Sequence, residues 1–141
     1  MKKVLTIILF LIFLTGCTIE PSISTGKATP DRVYVEVVDS TITNTSLKLH
    51  YVNTTDRTDL LVGASFYLQK ADKNKWKKIE TINEPTPFDA WAICLPPSGE
   101  EQNVFITYDW KYIYGTLESG DYRIVVGING EHELSAEFTI Q

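Results

Sequence analysis

The chain has 141 residues, 13 of them Lys or Arg and 18 Asp or Glu, for a net charge of -5. That length suits one domain whose core needs no disulfides. The acidic balance is repelled by phosphate backbones and anionic head groups, so the expectation is no nucleic-acid partner.

The chain opens with Lys2 and Lys3, then the apolar run Val4 through Phe13, then Leu14-Thr15-Gly16-Cys17. A positive start, a short apolar core and small residues before a cysteine are the layout of a bacterial export signal. Residues 1–16 are therefore expected to be a lipoprotein signal peptide, cut ahead of Cys17, which takes the lipid. The run falls short of the roughly 18 apolar residues of a spanning helix. An ordinary cleaved signal and a retained membrane helix remain the alternatives. Cutting there leaves 125 residues and, with Lys2 and Lys3 gone, a charge of -7. A diacylglyceryl group brings two acyl chains, enough for stable anchoring. The expected address is the extracytoplasmic face of the cell membrane, reached through the covalent lipid.

Residues 17–30 are rich in Ser, Thr, Pro and Gly and lack periodicity, which reads as a flexible tether. As a coil, residues 18–30 reach roughly 20 Å.

From residue 31 to 141 apolar residues alternate with polar ones, the period of half-buried strands. Val33, Val35 and Val37 share one face against Tyr34 and Glu36. Leu47, Leu49 and Tyr51 alternate with Lys48 and His50. A polar loop over 53–59 precedes Ala64, Phe66 and Leu68, which alternate with Ser65, Tyr67 and Gln69. Residues 71–75 read as a hairpin tip. Around it Lys70, Lys73, Lys75, Lys77 and Lys78 surround Trp76. Interleaved lysine and aromatic residues can hold an anionic polymer such as wall teichoic acid, with Lys73, Lys75, Trp76 and Lys77 as the binding candidates. The plainer reading is a solvated hairpin whose lysines discourage edge pairing.

Further along, Phe88 and Trp91 join Trp110, Tyr112 and Tyr114 as an aromatic group. Trp91 and Trp110 are expected in the core, and Tyr112 on the surface as a candidate contact. Cys94 lies among Ala92, Ile93 and Leu95, so a buried, inert thiol is expected; a reactive outlier is the alternative. Pro96-Pro97-Ser98-Gly99-Glu100 marks a reversal. Residues 109–115 have the spacing of one helical turn. Asn129-Gly130 is a two-residue hairpin signal, flanked by the alternations Tyr122, Ile124, Val126, Ile128 and Leu134, Ala136, Phe138, Ile140.

Leu117, Gly120 and Tyr122 have the layout of a tyrosine corner, in which a phenol bonds back to upstream backbone where the chain crosses between sheets. The string Trp110, Tyr114-Gly115, Leu117, Gly120 and Tyr122-Arg123-Ile124-Val125 resembles a bacterial immunoglobulin-like domain family. Its members occur largely in exported and lipid-anchored proteins of Gram-positive bacteria. Tyr67-Leu68-Gln69-Lys70 with Lys75-Trp76 resembles that family's central hairpin. Pro97-Ser98-Gly99-Glu100 resembles its Pro-Gly-Glu turn with an added serine. The family tends to carry a charge after Val125 where this chain has Val126, so no role is carried to that position. The resemblance covers residues 31–141. It implies an all-β fold, an immunoglobulin-like antiparallel β-sandwich of about seven to eight strands. Trp110, Leu117, Gly120 and Tyr122 are then structural, and the family brings no reaction or cofactor.

The residues themselves offer little chemistry. His50 sits on a strand face and His132 just past a turn, both expected as surface or satisfied histidines. No Gly-x-Ser-x-Gly elbow, P-loop or calcium loop occurs. One free cysteine and two distant histidines make no zinc site. The expectation is a non-enzymatic interaction or accessory module without catalytic residue, metal or cofactor, binding a protein or a cell-wall polymer. The alternative is an inhibitor of a secreted protease or wall hydrolase, using Pro96-Pro97-Ser98 as its docking loop. A hydrolase is the third reading.

Overall fold

A run that alternates apolar and polar side chains gains most by lying in a sheet with one face covered. Short runs between tight turns therefore build layered antiparallel strands. The computed structural model describes residues 32–84, 91–130 and 132–141. The expected signal peptide (1–16), Cys17, the expected tether (17–30) and Phe88 lie outside the described residues.

Eight strands occur among those described: β1 (Val33–Val37), β2 (Ser46–Asn53), β3 (Leu61–Asp72), β4 (Lys75–Lys78), β5 (Ala92–Cys94), β6 (Val104–Asp109), β7 (Gly120–Ile128) and β8 (His132–Ile140). A 3-10 turn at Asp39–Thr41 and the short helix α1 (Lys111–Tyr114) complete the elements. One sheet has the order β1-β2-β6 and the other β4-β3-β7-β8, with β5 also on β3. Every pairing is antiparallel.

The register sets inward residues side by side. Leu49 pairs with Ile106 and Leu47 with Tyr108 in the first sheet. In the second, Leu68 pairs with Ile124, Ile124 with Ala136, and Tyr122 with Phe138. These residues form one buried cluster drawn from both sheets. A slip of one residue would turn every member to solvent, and each large side chain contributes about 1.5–3 kcal/mol through burial. The fold is a two-sheet β-sandwich.

The crossover from β6 to β7 is pinned by aromatic residues. Trp110 is fully buried, and its indole N–H donates to the Asn44 carbonyl at 3.1 Å. That satisfies the one polar atom a buried tryptophan brings inside. The Leu117 N–H donates to the same carbonyl at 2.9 Å. Tyr122 Oη donates to the Glu118 carbonyl at 2.8 Å, closing the tyrosine corner. Its ring stacks on Phe138 with centroids 5.7 Å apart. Gly120 between them has φ +151°, and a Cβ there would meet Lys70 Cε at 3.4 Å.

Three expectations from the sequence need correction. Trp91 is not core but 41 % exposed. It precedes a three-residue strand at the rim of the sheet, too short to carry its ring under the second layer. Cys94 is exposed rather than buried. It pairs with exposed Leu61, and its S–H donates to the Thr58 carbonyl at 3.1 Å, while neighbouring Leu95 takes the buried place. The Asn129-Gly130 reversal has the expected positive φ values of 53° and 71°. Its register joins Ile128 to His132, however, so the connection is one residue longer than that dipeptide.

Candidate functional site

Strand direction gives the sandwich two unlike ends. At one end the chain enters β1: the Arg32 N–H donates to Thr54 Oγ1 at 2.8 Å, and the Thr54 N–H to the Arg32 carbonyl at 3.0 Å. The loops over 54–60 and 95–103 and the turn after Ile128 share that end. The β3–β4 hairpin, α1, the 38–45 connection and the close of β8 lie at the other. All five binding candidates, Lys73, Lys75, Trp76, Lys77 and Tyr112, belong to this second end.

The hairpin does not present its lysines as one patch. Lys73 occupies the turn with φ 58°. Beyond it the pleat sends alternate residues to opposite faces, so Lys75 and Lys77 point away from Trp76 and Lys78. On the outer face Arg123 lies over the Trp76 ring at 4.8 Å, and Lys78 Nζ over the Tyr67 ring at 4.8 Å. Arg123 Nε and Nη2 both donate to Gln69 Oε1, at 2.8 and 2.6 Å. Tyr67 Oη donates to Glu133 Oε2 at 3.0 Å. Burial, reinforced by that carboxylate, pushes the Tyr67 phenol above its ordinary range. On the other face Lys77 pairs with Asp72, and Lys70 lies 3.8 Å from Glu118. Among the described residues, Lys73 and Lys75 are the hairpin lysines left without a carboxylate or aromatic partner. Exposed pairs contribute little, about 0–1 kcal/mol, and exchange readily for another anion.

Tyr112 stands 59 % exposed on α1, whose opposite face buries Tyr114. Asn83 Nδ2 donates to the Tyr112 carbonyl at 2.7 Å, and the Ile82 N–H donates to the Ile113 carbonyl at 2.8 Å. Ile82 is 65 % exposed, so two large apolar side chains project from one braced corner. Sequence reasoning missed Ile82 and Asn83 because their segment has no periodicity.

The remaining candidates are held in structural roles. The His50 Nε2–H donates to the Gln102 carbonyl at 2.7 Å, its ring stacks on Phe105 at 4.5 Å, and Nδ1 lies 3.5 Å from Glu36. In the Pro96–Glu100 loop the Glu100 N–H donates to the Pro97 carbonyl at 3.2 Å, with Gly99 at φ +90°. Gln102 Nε2 donates to the Pro96 and Pro97 carbonyls at 3.1 and 2.9 Å, and buried Asn53 also donates to Pro96 at 3.0 Å. This loop is rigid, but it is a closed turn with its carbonyls drawn inward. No group of three or more His, Cys, Asp or Glu is placed to hold a metal among the described residues.

A family model described as a bacterial Ig-like domain matches residues 29–139. The chain belongs to that family. Its two sheets are the layers of an Ig-like sandwich, and the Tyr122 bond to Glu118 is the corner such sandwiches use. No curated protein and no solved structure matches the chain. Ig-like domains act as interaction modules, so function has to be argued from the exposed ends and edges of this one.

Proposed function

We propose that this bacterial Ig-like domain is a non-enzymatic interaction module, held by a lipid on Cys17 at the extracytoplasmic face of the cell membrane. It meets a protein or a cell-wall polymer through the end bearing the β3–β4 hairpin and α1. The observation that carries this reading is the polarity of the sandwich. The chain enters beside Thr54, whereas Lys73, Lys75 and Tyr112 are exposed at the opposite end. A tether over residues 17–30 would leave that end facing outward.

Two measurements test it. Mass spectrometry of the N-terminal peptide from the native host should find a lipidated Cys17 with residues 1–16 removed. An unmodified thiol behind intact residues would overturn the anchor. Binding of the domain to anionic wall polymer should weaken with salt and fall when Lys73, Lys75 and Lys77 are changed to glutamate. If there is no binding, or if it survives the triple change, the hairpin lysines are not a polymer site and a protein contact at Tyr112 and Ile82 takes their place.

A further inference from the structure

β8 is the outer strand of the five-stranded sheet. β7 pairs along its whole length, from Gly120–Ile140 to Ile128–His132. No strand pairs with its other side among the described residues. β1 passes close to β8 but hydrogen-bonds to β2, and the chain then turns away at Asp39–Thr41. That departure opens a groove of about 740 Å³ beside the second half of β8. One wall is the consecutive run Glu137–Gln141; the other is Asp39, Ile42, Thr43 and Asn44.

A wall made of consecutive residues of an edge strand offers main-chain groups as well as side chains. In an antiparallel ladder alternate N–H and C=O groups point away from the paired neighbour. Natural edges are usually blunted by lysine, proline or a bulge. The opposite edge, β4, carries Lys75, Lys77 and Lys78, whereas β8 contains no lysine, proline or glycine and pairs with β7 without a bulge. Its blunting is acidic: Glu133 and Glu137 lie on the outward face, and Asp39 stands across the groove. A second copy of β8 laid antiparallel and centred on Ser135 would set Glu133 against Glu137, and like charges opposite one another repel. A cationic strand meets the reverse situation.

The geometry points to strand addition: an extended peptide segment with basic residues at alternate positions seats in this groove and pairs with residues 137–141 of β8. Main-chain bonds supply the affinity, and alternate side chains facing Glu137 and Asp39 supply the selection. This deepens the interaction-module reading by naming one partner chemistry, and it needs neither the lipid nor the hairpin.

The test is a titration of the full chain with a synthetic peptide of alternating lysine and valine, read by amide hydrogen exchange. Slowed exchange confined to residues 137–141 and 39–44 is expected, with a several-fold loss of affinity in Glu137→Lys. Peptides N-methylated on one set of alternate residues should fail to bind, and those methylated on the other set should bind. Equal binding of both sets, protection elsewhere on the domain, protection by segment 1–31 that the peptide does not displace, or no protection at all would overturn the proposal. Failure at the hairpin leaves this result standing, because β4 and β8 are opposite edges of one sheet.

Discussion

Tyr108 shows how a single side chain can tie the two sheets together. It belongs to the three-stranded sheet, yet its hydroxyl donates to the Gly63 carbonyl of the other at 3.1 Å. A carbonyl can only accept, so Tyr51 Oη must donate to Tyr108 Oη across the 2.5 Å that separates them. Burial of the pair pushes both phenols up, Tyr108 to about 12. Tyr108→Phe strands the Tyr51 hydroxyl and the Gly63 carbonyl, and should cost about 1–3 kcal/mol in urea unfolding. Tyr112→Ala, at a side chain 59 % exposed, should change stability by less than about 0.5 kcal/mol. The phenols also set a pH dependence. In the unfolded chain they ionise near their ordinary value of 10.0, before they do so in the fold. Between there and about 12 the native state holds more protons, so stability falls as pH rises. The urea midpoint should be level up to pH 10 and drop above it, less steeply in the double variant Tyr51→Phe, Tyr108→Phe. A midpoint that stays level to pH 12 would contradict the assignment.

Among the elements, legibility followed periodicity. β1, β2, β3, β7 and β8 carry a clean two-residue alternation and were readable as strands with their faces assigned. The single turn of α1 was readable from the spacing of Trp110, Ile113 and Tyr114, and the tyrosine corner from Leu117, Gly120 and Tyr122. β6 was not, because Phe105 faces outward between Val104 and Ile106 and makes an unbroken apolar run that hides the alternation. β5 has three residues, too few to show any period, and that is why Trp91 and Cys94 read as buried when they are not. The lysine hairpin read as one patch because its residues are adjacent in sequence; the pleat that divides them was implicit in the same two-residue rule. The braces from Asn53 and Gln102 link positions more than 40 apart, with no local pattern to reveal them. The corner itself is testable. Tyr122→Phe removes one neutral hydrogen bond and should cost about 0.5–1.5 kcal/mol. Gly120→Ala forces a side chain into φ +151° and should cost about 1–3 kcal/mol. Equal stability of Gly120→Ala and the parent protein would remove the backbone argument for the corner.

For the molecule as a whole, the two ends and the two outer edges of one sheet carry different chemistry. Asp56, Asp59, Glu100 and Glu101 gather in the loops where the chain enters, against Arg32 and Arg57, with Arg57 held by Asp59 at 2.8 Å. Such an acidic end is repelled by anionic head groups, which would keep a lipid-tethered domain standing away from the bilayer. Lys73, Lys75, Tyr112 and Ile82 project from the far end. The most direct test of this polarity is photo-cross-linking in intact cells, with a photoreactive amino acid placed in turn at positions 75, 112 and 56. Adducts from 75 and 112, and none from 56, are the predicted result. Adducts from 56 alone would mean that the working surface lies at the end where the chain enters, contradicting the account.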